Sequence, residues 1–214
     1  MKAFHNDIKI KKQYLTRVVA HEKADEIIKG KYWENGKGCA VGCTIHGSYH
    51  GAYETELGIP RILARLEDGI FENLPNDLAK TWPRRFLEVI KPGADLSMVW
   101  PKFSVWMLTD EKYGVLQFAK TEGQREVIQS VSDLYLLKSQ GVDIDRQDWV
   151  DARSAAYAAA AAAYAAYAAA YAADAAAAYA AAAAAYAAAD AAAKRTEWRI
   201  AQSKKLLELM KDCK

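Results

Sequence analysis

Residues 58–90 read GIPRILARLEDGIFENLPNDLAKTWPRRFLEVI, with apolar side chains every three or four positions. Ile62, Leu63, Leu66, Ile70 and Phe71 fall on one side of a helix, the stripe that buries against a core. Gly58-Ile59-Pro60 opens that helix, because proline's fixed φ and missing N–H suit a first helical position. Thr81-Trp82-Pro83 starts the next helix by the same rule. It carries Phe86, Leu87 and Ile90 inward and stops at Pro92-Gly93. Glu67-Asp68 and Glu88 read as ordinary exposed helix faces.

Helical periodicity continues on both sides. Residues 7–29 form an amphipathic helix capped by Asn6 or Asp7, with Leu15, Val18, Val19, Ile27 and Ile28 on its apolar face and Gly30 as its stop. KYWENGKGCAVG at 31–42 is a turn-rich connector with Gly36, Gly38 and Gly42. Residues 103–119 read either as a small β-hairpin or as two short helices around TDEKYG. A further helix covers roughly 123–139 and ends at Gly141. The expected architecture is mainly α, with a helical domain at 1–141 followed by an alanine-rich helical extension at 142–214.

In that extension 32 of the 42 residues at 152–193 are alanine, the best helix former. Asp143, Asp145, Asp148 and Asp151 crowd its start, and Lys204, Lys205, Lys211 and Lys214 its end, the polarity a helix dipole favours. Tyr157, Tyr164, Tyr171, Tyr179 and Tyr186 recur at intervals of 7, 7, 8 and 7. That spacing keeps them in one stripe of a straight helix rather than the seam of a supercoil. The stripe is expected to pack on the helical domain or on a partner helix, including a second copy of the chain. No Lys or Arg lies between Arg153 and Lys194, so stacking on a nucleic acid strand would lack phosphate contacts.

The 29 basic and 27 acidic residues give a formal charge of +2, which builds no strong field toward nucleic acid or an anionic membrane. Asp174 and Asp190 interrupt the alanine run and argue against a membrane span. Six Trp, twelve Tyr and only three Cys exclude a disordered, collagenous or disulfide-scaffold chain. An odd cysteine count and no readable signal peptide point to a cytoplasmic protein.

The chemistry-bearing stretch is GCAVGCTIHGSYHGAYETE at 38–56. On one helix Cys39, Cys43, His46 and His50 would lie within about 60° of each other, but spread over about 16 Å. Convergence on one ion would require a turn at Gly42 or Gly47. Two thiols and two imidazoles make a zinc complement. His46, His50 and Glu54 at i, i+4 and i+8 make a two-histidine, one-carboxylate set, with Glu56 as a nearby base. The bland alternative is that the cysteines are small core hydrophobes and the histidines and tyrosines a polar helix face. Trp33, Tyr49, Tyr53 and Arg61 are the candidate binding residues around this loop.

At GCAVGCTIH, YETELGIP, LARLEDGIFENLPN and TWPRRFLEVI the chain resembles a family of uncharacterised bacterial and phage proteins. In these, a helical N-terminal domain precedes a long alanine-rich helix punctuated by Tyr and Asp. The alanine segment is also similar to that of immunity proteins in toxin–immunity systems. The resemblance implies phage–host or toxin–immunity conflict and carries no catalytic residues. The expected function is therefore a non-enzymatic protein that occupies a partner protein. The alternatives are a metal- or thiol-dependent enzyme using residues 39–56, and a sponge for a small nucleotide held by the Gly38–Tyr53 loop, Trp33 and Arg61.

Overall fold

A computed structural model of the chain describes residues 1–156, 158 and 180–214, with no account of the side chains of 180–192. Of the expected tyrosine stripe, Tyr157, Tyr164, Tyr171 and Tyr179 lie outside the described residues, and Tyr186 is among those whose side chains are not described. The protein is mainly helical, with one two-stranded antiparallel sheet among the described residues. Among the described residues no helix is long and apolar enough to cross a membrane.

Helix α1 (Ile8–Lys23) starts where the sequence places it: Asp7 caps it by accepting the Lys9 N–H at 2.7 Å. It stops at Lys23, seven residues before Gly30. Asp25 adopts a left-handed φ of 55°, and Ile27 leaves the helix to bridge Gly38. The Ile28 N–H donates to the Gly38 carbonyl at 2.8 Å, and the Gly38 N–H to the Glu26 carbonyl at 3.0 Å. Ile27 and Ile28 are β-branched, and their backbone finds partners in the following connector instead of another helical turn.

That connector is the hairpin. Strands β1 (Trp33–Glu34) and β2 (Lys37–Gly38) pair antiparallel. Asn35 and Gly36 between them have φ of 51° and 80°, as a type I′ turn requires. The hairpin alternative for 103–119 is not formed. Those residues are helix α6 (Val99–Thr109) and a 3-10 turn at Val115–Phe118.

Short helices α2 (Ala40–Ile45) and α3 (Ala52–Leu57) follow, then α4 (Arg61–Asn73) and α5 (Asn76–Val89). Helix α5 begins five residues earlier than Thr81, after Pro75, and holds Pro83 in its interior. An interior proline costs about 3 kcal/mol in a free helix. Trp82, Phe86 and Leu87 beside it are fully buried, and each such side chain contributes about 1.5–3 kcal/mol. Packing outweighs the local penalty.

Helix α7 (Glu122–Ser139) opens with a reciprocal capping box between Thr121 and Gln124, and Gly141 follows it at φ 85°. Residues 146–156 are helical, and the C-terminal helix spans Ala180–Lys211. The chain divides into two compact units, one of Met1–Trp100 with Thr196–Lys214 and one of Pro101–Arg195. In the first, α1 packs on α2 and α5, and α4 on α2 and α5. Its core includes Phe4, Val18, Tyr53, Leu63, Phe71 and Trp82, with Leu206 and Met210 of the C-terminal helix also wholly buried. The second unit links Phe103 to Trp106 and Trp106 to Tyr113, and sets Tyr135 against Trp149 at 4.8 Å.

Candidate functional site

Helix α2 organises the chemistry of the first unit. Gly42 lets it seat against the Tyr32 backbone: a Cβ there would stand 1.4 Å from the Tyr32 carbonyl oxygen. Cys39 is its N-cap, with Sγ accepting the Gly42 N–H at 3.5 Å. Its C-cap residue, His46, is left-handed at φ 52°, so the chain turns before His50 and α3. The Cys/His motif is thereby split over the two ends of α2 and the loop beyond, and does not share one helix face.

At the N-terminal end of α2, Cys39 meets α4. Asp68 and Glu72 stand at i and i+4 on that helix, and one ligand atom from each of Cys39, Asp68 and Glu72 lies within 4.8 Å of the other two. His50 Nε2 donates to Asp68 Oδ2 at 3.2 Å, and the Tyr32 ring packs edge-on to His50 at 5.6 Å. The Gly30 N–H donates to both Glu72 oxygens at 3.1 Å. Asp68 Oδ1 is buried with no hydrogen-bond partner. Cys39 itself is 1% exposed. Burial, with the Asp68 carboxylate adding to it, pushes its thiol well above the ordinary cysteine range.

At the other end, His46 stacks on Trp33 with ring centroids 4.3 Å apart. Its Nε2 faces His21 Nε2 at 2.9 Å, and His21 Nδ1 contacts Glu26 at 2.6 Å. A carboxylate only accepts, so His21 Nδ1 is the donor to Glu26. Burial, Arg17 and His21 together lower the His46 pKa. Cys43 stands nearby and donates to the Gly38 carbonyl at 3.3 Å. Burial pushes its thiol up to about 12. Neither buried thiol is an activated nucleophile in this environment.

Glu54 accepts the Arg61 N–H at 3.0 Å and pairs with its guanidinium at 3.5 Å, so Glu54 and Arg61 occupy one another. Glu56 accepts from the Tyr14 hydroxyl, whose pKa burial and Glu56 raise to about 12. Of the residues grouped from the sequence, Cys39 and His50 share the α4 carboxylate side, while Cys43 and His46 lie on the Glu26 side. Tyr49 is 66% exposed and Trp33 half-buried, whereas Tyr53 is fully buried.

Glu67 overturns the exposed-face reading of α4. It is fully buried, and its Oε2 accepts from the Tyr53 hydroxyl at 2.6 Å. Burial raises its pKa to about 8, against the Tyr53 hydrogen bond, which lowers it. No family model, curated protein or solved structure matches the chain. Asp68, Glu72, His21, Glu26 and Tyr32 were not readable as site residues. The i, i+4 carboxylate pair is visible in the sequence, but such pairs are commonplace on solvated helices.

Proposed function

We propose that the chain is a recognition protein that acts by occupying a partner protein, without turning over a substrate. The carrying observation is the aromatic face beside His50: Tyr32 is 43% and Tyr49 66% exposed, and Tyr32 packs on the His50 ring. Tyr and Trp supply large contact area for little lost side-chain entropy, and they concentrate binding energy at protein interfaces. The resemblance to phage and immunity proteins supports a setting in phage–host or toxin–immunity conflict. Three free cysteines support a reducing, cytoplasmic compartment.

The test is affinity capture from host lysate with the full chain against Tyr32→Ala/Tyr49→Ala. A partner recovered at about one to one by the wild type and lost by the double variant is the expected result. No stoichiometric partner, or equal recovery by both proteins, overturns the reading. The metal-dependent alternative is favoured by a different observation, the convergence of Cys39, Asp68 and Glu72.

A further inference from the structure

We propose that Cys39, Asp68 and Glu72 bind one divalent transition-metal cation of zinc-like chemistry, with His50 as the positioning residue for Asp68. The proposal is independent of the recognition reading and would survive its failure.

Three observations carry it. The donor atoms come from two elements, the α2 N-cap and the half-buried edge of α4, and already lie within 4.8 Å of one another. Ligands sharing a tetrahedral zinc stand about 3.5 Å apart, from bond lengths near 2.0–2.3 Å, so about an ångström of closure suffices. Asp68 Oδ1 is sealed from solvent and makes no hydrogen bond of good geometry, although the Tyr32 hydroxyl and the Cys39 thiol face the Asp68 carboxylate and its other oxygen is satisfied by His50. A buried carboxylate oxygen is normally satisfied, and a cation between Asp68 and Cys39 would satisfy this one. Among the described residues, neither carboxylate forms an ion pair with a Lys or Arg; the side chain that meets Asp68 is the His50 imidazole.

The supporting contacts have the form of an outer ligand shell. His50 fixes one Asp68 oxygen, and the Gly30 N–H holds the Glu72 carboxylate from behind. Such partners orient ligands and tune affinity. The donor set selects the metal class. Sulfur disfavours magnesium and calcium, and two carboxylates disfavour copper(I), leaving zinc and its neighbours. On binding, the Cys39 S–H gives its proton to solvent and the thiolate takes the metal. The fourth position remains for water or a partner's side chain.

Cobalt(II) serves as the probe because a thiolate ligand gives it a charge-transfer absorption in the near ultraviolet. The full chain, stripped with chelator and titrated with cobalt(II), is expected to bind one ion with that band, and zinc to displace it. Cys39→Ser should abolish the band. Glu72→Gln should weaken binding about tenfold or more, and it decides the matter if the buried Cys39 variant fails to fold. His21→Asn, on the separate imidazole pair, should leave band and stoichiometry unchanged. The proposal is overturned if cobalt does not bind, if the band survives in folded Cys39→Ser, if Glu72→Gln binds as tightly as wild type, or if binding disappears in His21→Asn.

Discussion

The Tyr53 hydroxyl donates to Oε2 of Glu67 at 2.6 Å, and both side chains are wholly buried. Trp82 closes the same region by donating its indole N–H to the Glu67 backbone carbonyl at 3.0 Å. This polar chain ties α3, α4 and α5 together inside an otherwise apolar core. Glu67 Oε1 already lacks a partner. Tyr53→Phe would leave the other oxygen unsatisfied as well and should cost about 1–3 kcal/mol, read from the midpoint of denaturant unfolding followed by tryptophan fluorescence. Glu67→Gln retains the acceptor and should lose less. A Tyr53→Phe protein as stable as wild type would show that the bond does not hold the core.

The His21–His46 pair makes stability depend on acidity. His46 has a pKa lowered below the ordinary histidine value of about 6.5, so the folded chain resists a proton that the unfolded chain accepts. The unfolded state binds more protons below about pH 6.5, and stability must fall as pH drops through that value and toward the lower folded pKa. His46 also sits at φ 52°, which Asn tolerates. His46→Asn should therefore keep the turn and flatten the acid limb of the stability curve. An unchanged acid limb in that variant would assign the pH dependence to other groups.

Two glycines should respond to alanine in opposite directions. At Gly42 the added Cβ would stand 1.4 Å from the Tyr32 carbonyl oxygen, whereas at Gly69, inside α4, it meets nothing within 4 Å. Gly69→Ala should stabilise by about 0.5–1 kcal/mol through helix propensity. Gly42→Ala should destabilise by about 1–3 kcal/mol or more as the hairpin is pushed off α2. Thermal melts of the two variants check both signs.

Lys11 closes the C-terminal end of α5. Its Nζ donates to the Glu88 and Ile90 carbonyls, each at 2.7 Å, which is where helix geometry leaves carbonyls unpaired and the dipole favours a cation. Lys11→Met keeps the aliphatic stem and removes the charge. A loss of about 1–2 kcal/mol is expected, and an unchanged unfolding midpoint would refute the capping role.

Helices α4 and α7 and the start of α1 were legible in the sequence because their signals are local. A proline before an apolar stripe, a glycine stop at Gly141 and an Asp cap each act within one turn of backbone. The Asn35-Gly36 hairpin turn is equally local, its left-handed pair acting between two neighbouring strands. The early end of α1 was not legible, since Ile27 and Ile28 fit a helical stripe as well as a strand. Their choice rests on Gly38, ten residues away, offering a carbonyl and an N–H. Pro83 misplaced the start of α5 for a similar reason: the rule against interior proline is local, and buried Trp82 and Phe86 override it.

From its residue pattern alone this chain is a mainly helical protein with an alanine-rich C-terminal segment and a reactive-looking loop at 38–56, because backbone propensity and apolar period depend on near neighbours. Which acid is buried and which thiol meets a carboxylate emerge only in three dimensions. Glu67 and Asp68 are adjacent in sequence and differ by about 100° around α4. One turns to the Tyr53 hydroxyl in the core and the other to Cys39 and His50. That division belongs to the packing of α4 on α2 and α5: desolvation acts on whatever face the neighbours cover, and the covering residues lie tens of positions away in the chain.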